Sequence, residues 1–349
     1  EQDRETRNAS YKAAREALRP VMEAVNGSSA PVFYAVGNAH LDLAWCWPLA
    51  ETYRKTARTF AAQLRLLEEY PDYKFIVSQP ACYEMVREHY PELFERIKKA
   101  AKDGRWIADG AMWVEPDTNM AGGEALIRQF VYGKRYYKEV FDVDSELLWL
   151  PDTFGYTAAL PQIVVGCGVK YLVTQKIFWS YNKGEPFPYH YFTWKGMDGS
   201  EITSFLPTRY EYFTHPTEAN EVWKNRSQAR DLDAFLYPFG YGDGGGGPTA
   251  EQLENIKRMK RGIPGCPNAE NSTLEEFFAY VKKSADKRLP KWVGELYLEF
   301  HRGTYTTIGK NKRYNRKIEY LLHNIEAMAT MNHLLNGADY PYETLDEMW

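Results

Sequence analysis

Short apolar runs and helical stretches take turns along this 349-residue chain, and that alternation limits the fold more than any other feature. The run from Pro31 to Val36 is compact, apolar and bounded by Pro and Gly, as a buried strand is. A helical stretch from Thr52 to Glu69 follows, with Phe60, Leu64 and Leu67 on one face. Residues 73–78, 105–109, 146–150, 169–174, 234–239 and 294–300 read as further strands, and 81–100, 123–140, 157–166 and 249–261 as helices between them. Residues 190–206 read as a hairpin turning at Met197-Asp198-Gly199. Continuous apolar strands separated by helices imply a mostly parallel sheet covered on both faces. The expectation is an α/β fold, a seven-stranded β/α barrel with flanking helices. Residues 1–25 carry a helical apolar stripe (Leu18, Val21, Met22), and 313–336 carry another ending at Gly337. The chain therefore divides into an N-terminal helical segment (1–30), a β/α-barrel region (31–307) and a C-terminal helical region (308–349).

Composition removes several function classes. A formal net charge of −4, with both signs spread along the chain, argues against a partner held by bulk charge, such as nucleic acid. No apolar run approaches the roughly 18 residues of a membrane span, and residues 1–30 lack the apolar stretch of a signal peptide. A cytoplasmic location is favoured on that ground. Four cysteines without CxxC spacing suit free thiols rather than a disulfide framework or a cysteine zinc knot. Aromatic residues make up 15% of the chain, which suits a large core and also suits sugar binding.

Function is read from the polar residues that follow the strands, because α/β sheets and barrels carry their sites at the carboxyl ends of strands. The strand at 31–38 runs into His40-Leu-Asp42-Leu-Ala-Trp45, and that at 146–150 into Asp152-Thr-Phe154. The strand at 234–239 runs into a glycine-rich loop carrying Asp243, and that at 294–300 into His301-Arg302. His-x-Asp alone is a weak signal, since a hydrogen-bonded surface pair reads the same way. Two histidines and three aspartates ending four strands are a stronger one, and imidazole with carboxylate suits zinc. Lys176 and Arg302 are candidates for balancing charge there. Gly240-Tyr-Gly-Asp-Gly-Gly245 formally matches a dinucleotide fingerprint. Asp243 would face the pyrophosphate, however, so the glycines are better read as letting the backbone pass close to a ligand.

Four segments together resemble glycoside hydrolase family 38, the retaining α-mannosidases. They are His40-Leu-Asp42-Leu-Ala-Trp45, Leu150-Pro-Asp152-Thr-Phe154-Gly-Tyr156, Gly242-Asp243-Gly-Gly-Gly-Gly-Pro-Thr249 and Leu298-Glu-Phe-His301-Arg-Gly-Thr-Tyr-Thr-Thr307. The last two look like the branch of bacterial, vacuolar and cytosolic α-mannosidases. The resemblance implies one zinc ion held by His40, Asp42, Asp152 and His301. It also implies Asp152 as nucleophile, Asp243 as acid/base, and Trp45 and Phe154 flanking the sugar. The substrate would be a mannose-containing oligosaccharide, cleaved by double displacement with retention. The 349 residues are expected to stop inside the helical bundle, before the family's large β-domains. An apolar stripe at 313–336 with no evident cover allows a homo-oligomer. Two other readings compete: a metal-dependent carbohydrate deacetylase, and a sugar-binding fragment without strong catalysis.

Overall fold

The computed structural model describes residues 3–228, 232–285 and 289–349. In chain order its elements begin with α1 (Arg4–Glu23), β1 (Val32–Asn38), α2 (Leu49–Glu69), β2 (Phe75–Val77), α3 (Pro80–His89), α4 (Pro91–Lys102) and β3 (Trp106–Ala108). The middle holds α5 (Gly123–Phe141), β4 (Leu147–Leu150), α6 (Leu160–Gly166), β5 (Tyr171–Thr174), β6 (Tyr191–Lys195), β7 (Glu201–Phe205) and α7 (Pro216–Asn225). The series closes with β8 (Ala234–Phe239), α8 (Ala250–Lys260), β9 (Asn268–Asn271), α9 (Leu274–Ala285), β10 (Lys291–Val293), α10 (Gly309–Asn336) and α11 (Tyr342–Met348).

The fold is α/β with mostly parallel strands, but among the described residues the ladders do not close into a seven-stranded barrel. They form two five-stranded sheets. The first runs β3-β2-β1-β8, with β9 also paired to β1; the second runs β10-β6-β7-β5-β4. One seam falls between β3 and β4, where Trp149 N donates to Gly110 O at 3.5 Å. The other falls between β7 and β8, where Tyr212 and Phe239 form an isolated bridge. β2 and β3 are only three residues long, so little backbone is left for a ladder to continue across the first seam. The antiparallel β6–β7 hairpin is present with its turn after Lys195, as the sequence indicates.

Three local expectations need correcting. The helix at 81–100 is two helices, because Pro91 has no N–H to continue α3 and instead begins α4 at its first turn. The strand at 294–300 is not one: only Lys291–Val293 pair, on the outer edge of β6, and Leu296 forms a single bridge with Tyr156. β9 and α9 were unforeseen. Asn-Ala-Glu-Asn does not look like a strand, although Thr273 and Glu276 do cap α9 reciprocally, a readable helix start.

Two apolar clusters fill the space between sheets and helices. One centres on β1 and β8 with Phe33, Phe235, Tyr237 and Phe277; the other on β4 to β7 with Leu148, Phe192 and Trp194. Trp106, Trp149 and Trp194 are fully buried, so the aromatic excess serves the core first. All four cysteines are unpaired. No described helix is long and apolar enough to cross a membrane. α1 buries no residue and α10 only Leu322; α10 is held to the loop before α5 by polar contacts, Gly122 N to Glu319 and Arg316 to Met120 O. Its stripe of Leu321, Ile325 and Met328 is left exposed.

Candidate active site

The strands that deliver the site are largely buried, which fixes where they end. β1 buries Phe33, Ala35 and Val36 completely, and Asn38 Nδ2 then ties its end to Tyr210 O at 3.1 Å. His40 follows, only 6% exposed, with Asp42 partly exposed beside it. β4 is buried at all four positions, so Pro151 and Asp152 emerge at the adjoining strand end.

His40, Asp42 and Asp152 offer ligand atoms that all lie within 4.8 Å of one another. His40 Nε2 is 3.4 Å from Asp42 Oδ1 and 3.6 Å from Asp152 Oδ2. One nitrogen and two carboxylates are a borderline-hard donor set that suits a divalent cation such as zinc. Lys176 Nζ lies 2.7 Å from Asp152 Oδ1, an ion pair without hydrogen-bond geometry that leaves this buried oxygen otherwise unpartnered. The same ammonium sits 3.5 Å above the Trp179 ring. The residues present therefore fit a metal: one imidazole nitrogen and one oxygen from each of two carboxylates converge within 4.8 Å.

Electrostatics agree. Burial pulls the His40 pKa down, yet Glu115, Asp42 and Asp152 outweigh it and hold the imidazole up at about 9. A cation bound at Nε2 would replace that proton. Burial also raises the Glu115 carboxyl, with Asp152 adding to it and His40 opposing.

Asp243 is exposed and is joined to this cluster through one side chain. Tyr210 OH donates to Asp243 Oδ1 at 3.3 Å, and the Tyr210 ring lies 5.2 Å from the His40 ring. Burial, then Asp152 and Asp243, push the Tyr210 pKa upward, so the phenol keeps the proton it donates. The glycine loop is a tight ring: Tyr241 and Gly247 exchange backbone hydrogen bonds, and Gly245 N closes on Gly242 O. Lys55, Thr59 and Gln63 of α2 hold the carbonyls of Gly244, Gly245 and Pro248. Gly240 enters the loop at φ +126, with a would-be Cβ only 2.4 Å from Asn38 O. The N-terminus of α8 is closed by its own Thr249–Gln252 capping box, which further disfavours a dinucleotide site there.

His301 stands outside the 4.8 Å group. It is exposed, in a left-handed conformation (φ 65), with its ring edge-on to Phe154 at 5.2 Å. Burial and Lys176 lower its pKa while Asp152 opposes, so its imidazole is neutral, the form that coordinates metals. The Tyr156–Leu296 bridge and the hydrogen bond from Tyr305 OH to Phe154 O bring this segment to the site. Trp45 is 57% exposed and perpendicular to Trp47. Arg302 pairs with Glu299 and Tyr297. The residues that sequence reasoning missed are Glu115, Tyr210 and Gln79; none sits in a spacing that announces chemistry.

The fold and the cluster define an α/β protein with, at its strand ends, a His-Asp-Asp group that could hold a metal ion. Residues 30–295 match the N-terminal domain of the glycosyl hydrolases family 38, and residues 299–349 match the α-mannosidase middle domain. The chain belongs to glycosyl hydrolase family 38. It is 39% identical to human alpha-mannosidase 2C1 over 93% of its length and 31% of that protein's. It is 36% identical to a Saccharomyces cerevisiae alpha-mannosidase over 90% of its length and 30% of that protein's. It thus spans about a third of the curated relatives it matches. The crystal structure of an alpha-mannosidase from Enterococcus faecalis shares the fold, with a TM-score of 0.77 at 20% identity, covering 91% of this chain and 37% of that one.

Proposed function

We propose that the chain carries the site of a retaining α-mannosidase that removes terminal, non-reducing α-D-mannose from oligosaccharides. The observation that carries this reading is the double engagement of Asp152, with Oδ2 turned to His40 and Oδ1 beside Lys176. Family membership adds to it and disfavours the deacetylase.

Asp152 attacks the anomeric carbon as Asp243 gives its proton to the departing glycosidic oxygen, leaving the sugar covalently on Asp152. Asp243 then takes a proton from water, whose oxygen displaces Asp152 and releases mannose with its original configuration. Tyr210, donating to Asp243, fixes the direction in which that carboxyl points. Trp45 offers an exposed ring, and Phe154 a half-buried one, for the faces of the sugar. We take His40, Asp42 and Asp152 to hold one zinc ion, with His301 reaching in as fourth ligand. When bound, that ion supplies Lewis-acid coordination of the terminal sugar's hydroxyls and so favours a distorted ring.

Incubation with an aryl α-mannoside and with an acetylated sugar, each with and without chelator, tests the proposal. Mannose release that the chelator abolishes is the expected result. Acetate release instead would favour the deacetylase, and sugar binding without either product the binding fragment.

A further inference from the structure

We infer that Glu115 is a positioning residue that sets the geometry of the metal cluster by joining ligands delivered from two different sheets. His40 and Asp42 follow β1 in the first sheet, whereas Asp152 follows β4 in the second. Across the seam between β3 and β4, backbone pairing among the described residues amounts to the 3.5 Å contact from Trp149 N to Gly110 O. Such a seam does not by itself hold two ligands within coordination range.

Glu115, in the loop after β3, spans the gap with its two oxygens. Oε2 lies 3.3 Å from His40 Nδ1. Oε1 accepts from the backbone N–H of Asp152 and of Thr153, the latter at 2.6 Å, and from Thr153 Oγ1 at 3.2 Å. Its own backbone is anchored in turn: Glu115 N donates to Gln79 Oε1 at 3.1 Å, and Gln79 Nε2 donates to Leu41 O at 3.0 Å. A continuous hydrogen-bonded tie therefore runs through the loops that follow β1, β2, β3 and β4. Its side chain is only 10% exposed, so these bonds do not compete with bulk water.

The Oε2 contact also selects a tautomer. In the neutral imidazole, the form that binds a cation, a carboxylate facing Nδ1 keeps the proton there, which leaves the Nε2 lone pair turned toward Asp42 and Asp152. Outer partners of this kind typically change metal affinity by 10- to 100-fold.

The inference rests on the metal reading of the cluster, and the test separates the two. Zinc affinity of the purified chain is measured by calorimetry with chelator competition, for the parent, Glu115→Gln and Glu115→Asp. Metal-free melting temperatures and the ¹⁵N shifts of His40 are recorded alongside, at a pH high enough for the parent imidazole to be neutral. Glutamine keeps a carbonyl for the Asp152 and Thr153 N–H groups but turns an NH₂ toward Nδ1, which forces the His40 proton onto Nε2. We expect Glu115→Gln to lose about 10- to 100-fold in zinc affinity, with a near-parental metal-free melt and an Nε2-protonated imidazole. Glu115→Asp keeps the charge but is one methylene short of both loops, so it should weaken zinc binding and lower the melt together. Parental zinc affinity in Glu115→Gln overturns the inference alone. Should that variant not fold, parental affinity in Glu115→Asp overturns it. A parent that binds no zinc overturns the metal reading and this inference with it.

Discussion

Replacing Gly240 by alanine tests how tightly the end of β8 is locked against the start of the site. Two costs follow from its surroundings. Gly240 has φ +126, which an L-residue adopts only at about 1–3 kcal/mol. The new Cβ would also lie 2.4 Å from Asn38 O and 2.6 Å from Pro248 Cδ, and relieving such overpacking costs about 1–3 kcal/mol more. The expected loss is about 2–6 kcal/mol. For 349 residues the unfolding entropy is about 0.7 kcal/mol/K, so the melting temperature should fall by about 3–8 °C. Gly104→Ala is the control: its φ is +71 but nothing lies within 4 Å of the added carbon, so only strain of about 1–2 kcal/mol remains. Calorimetric melts of the metal-free proteins decide the matter. A Gly240→Ala melt no lower than that of Gly104→Ala would refute the close-approach argument.

Two further outcomes follow from the site. His40 has a folded pKa near 9, above an unfolded value of about 6.5. Its charged form therefore stabilises the metal-free fold below about pH 6.5, and that contribution is lost as the pH rises through about 9. The urea midpoint of the chelated chain should fall across this window, and a His40→Ala variant that fell equally would refute the assignment. Asp243→Asn should slow mannosides with poor leaving groups far more than aryl mannosides with good ones, since a good leaving group needs little protonation. Equal loss of kcat/KM for both would remove Asp243 as the acid.

The sequence carried much of the site because its ligand types follow strands whose apolar runs are unmistakable. His40 and Asp42 share one extended segment, and Asp152 follows four buried residues. Glu115 was not legible in the same way. It sits in a loop acid-and-proline context, Val114-Glu-Pro-Asp117, and acquires its role only when β3 and β4 come side by side across the seam. Closure of the sheet is likewise a property of ladders, not of runs: periodicity counts strands but does not say that β3 stops after three residues. The alternation of Leu296, Leu298 and Phe300 imitates a strand, yet Leu296 and Leu298 are buried by packing into the second apolar cluster, with a single backbone bridge from Leu296 to Tyr156. Polar β9 shows the converse error, a strand specified by its neighbour β1 rather than by its own side chains.

Proton NMR of the sugar first released from a 4-nitrophenyl α-mannoside tests the central claim most directly. Double displacement through Asp152 predicts that α-mannose is seen first, before mutarotation mixes the anomers, and that Asp152→Asn releases none. β-Mannose as the first product, or an Asp152→Asn variant as active as the parent, would contradict the account.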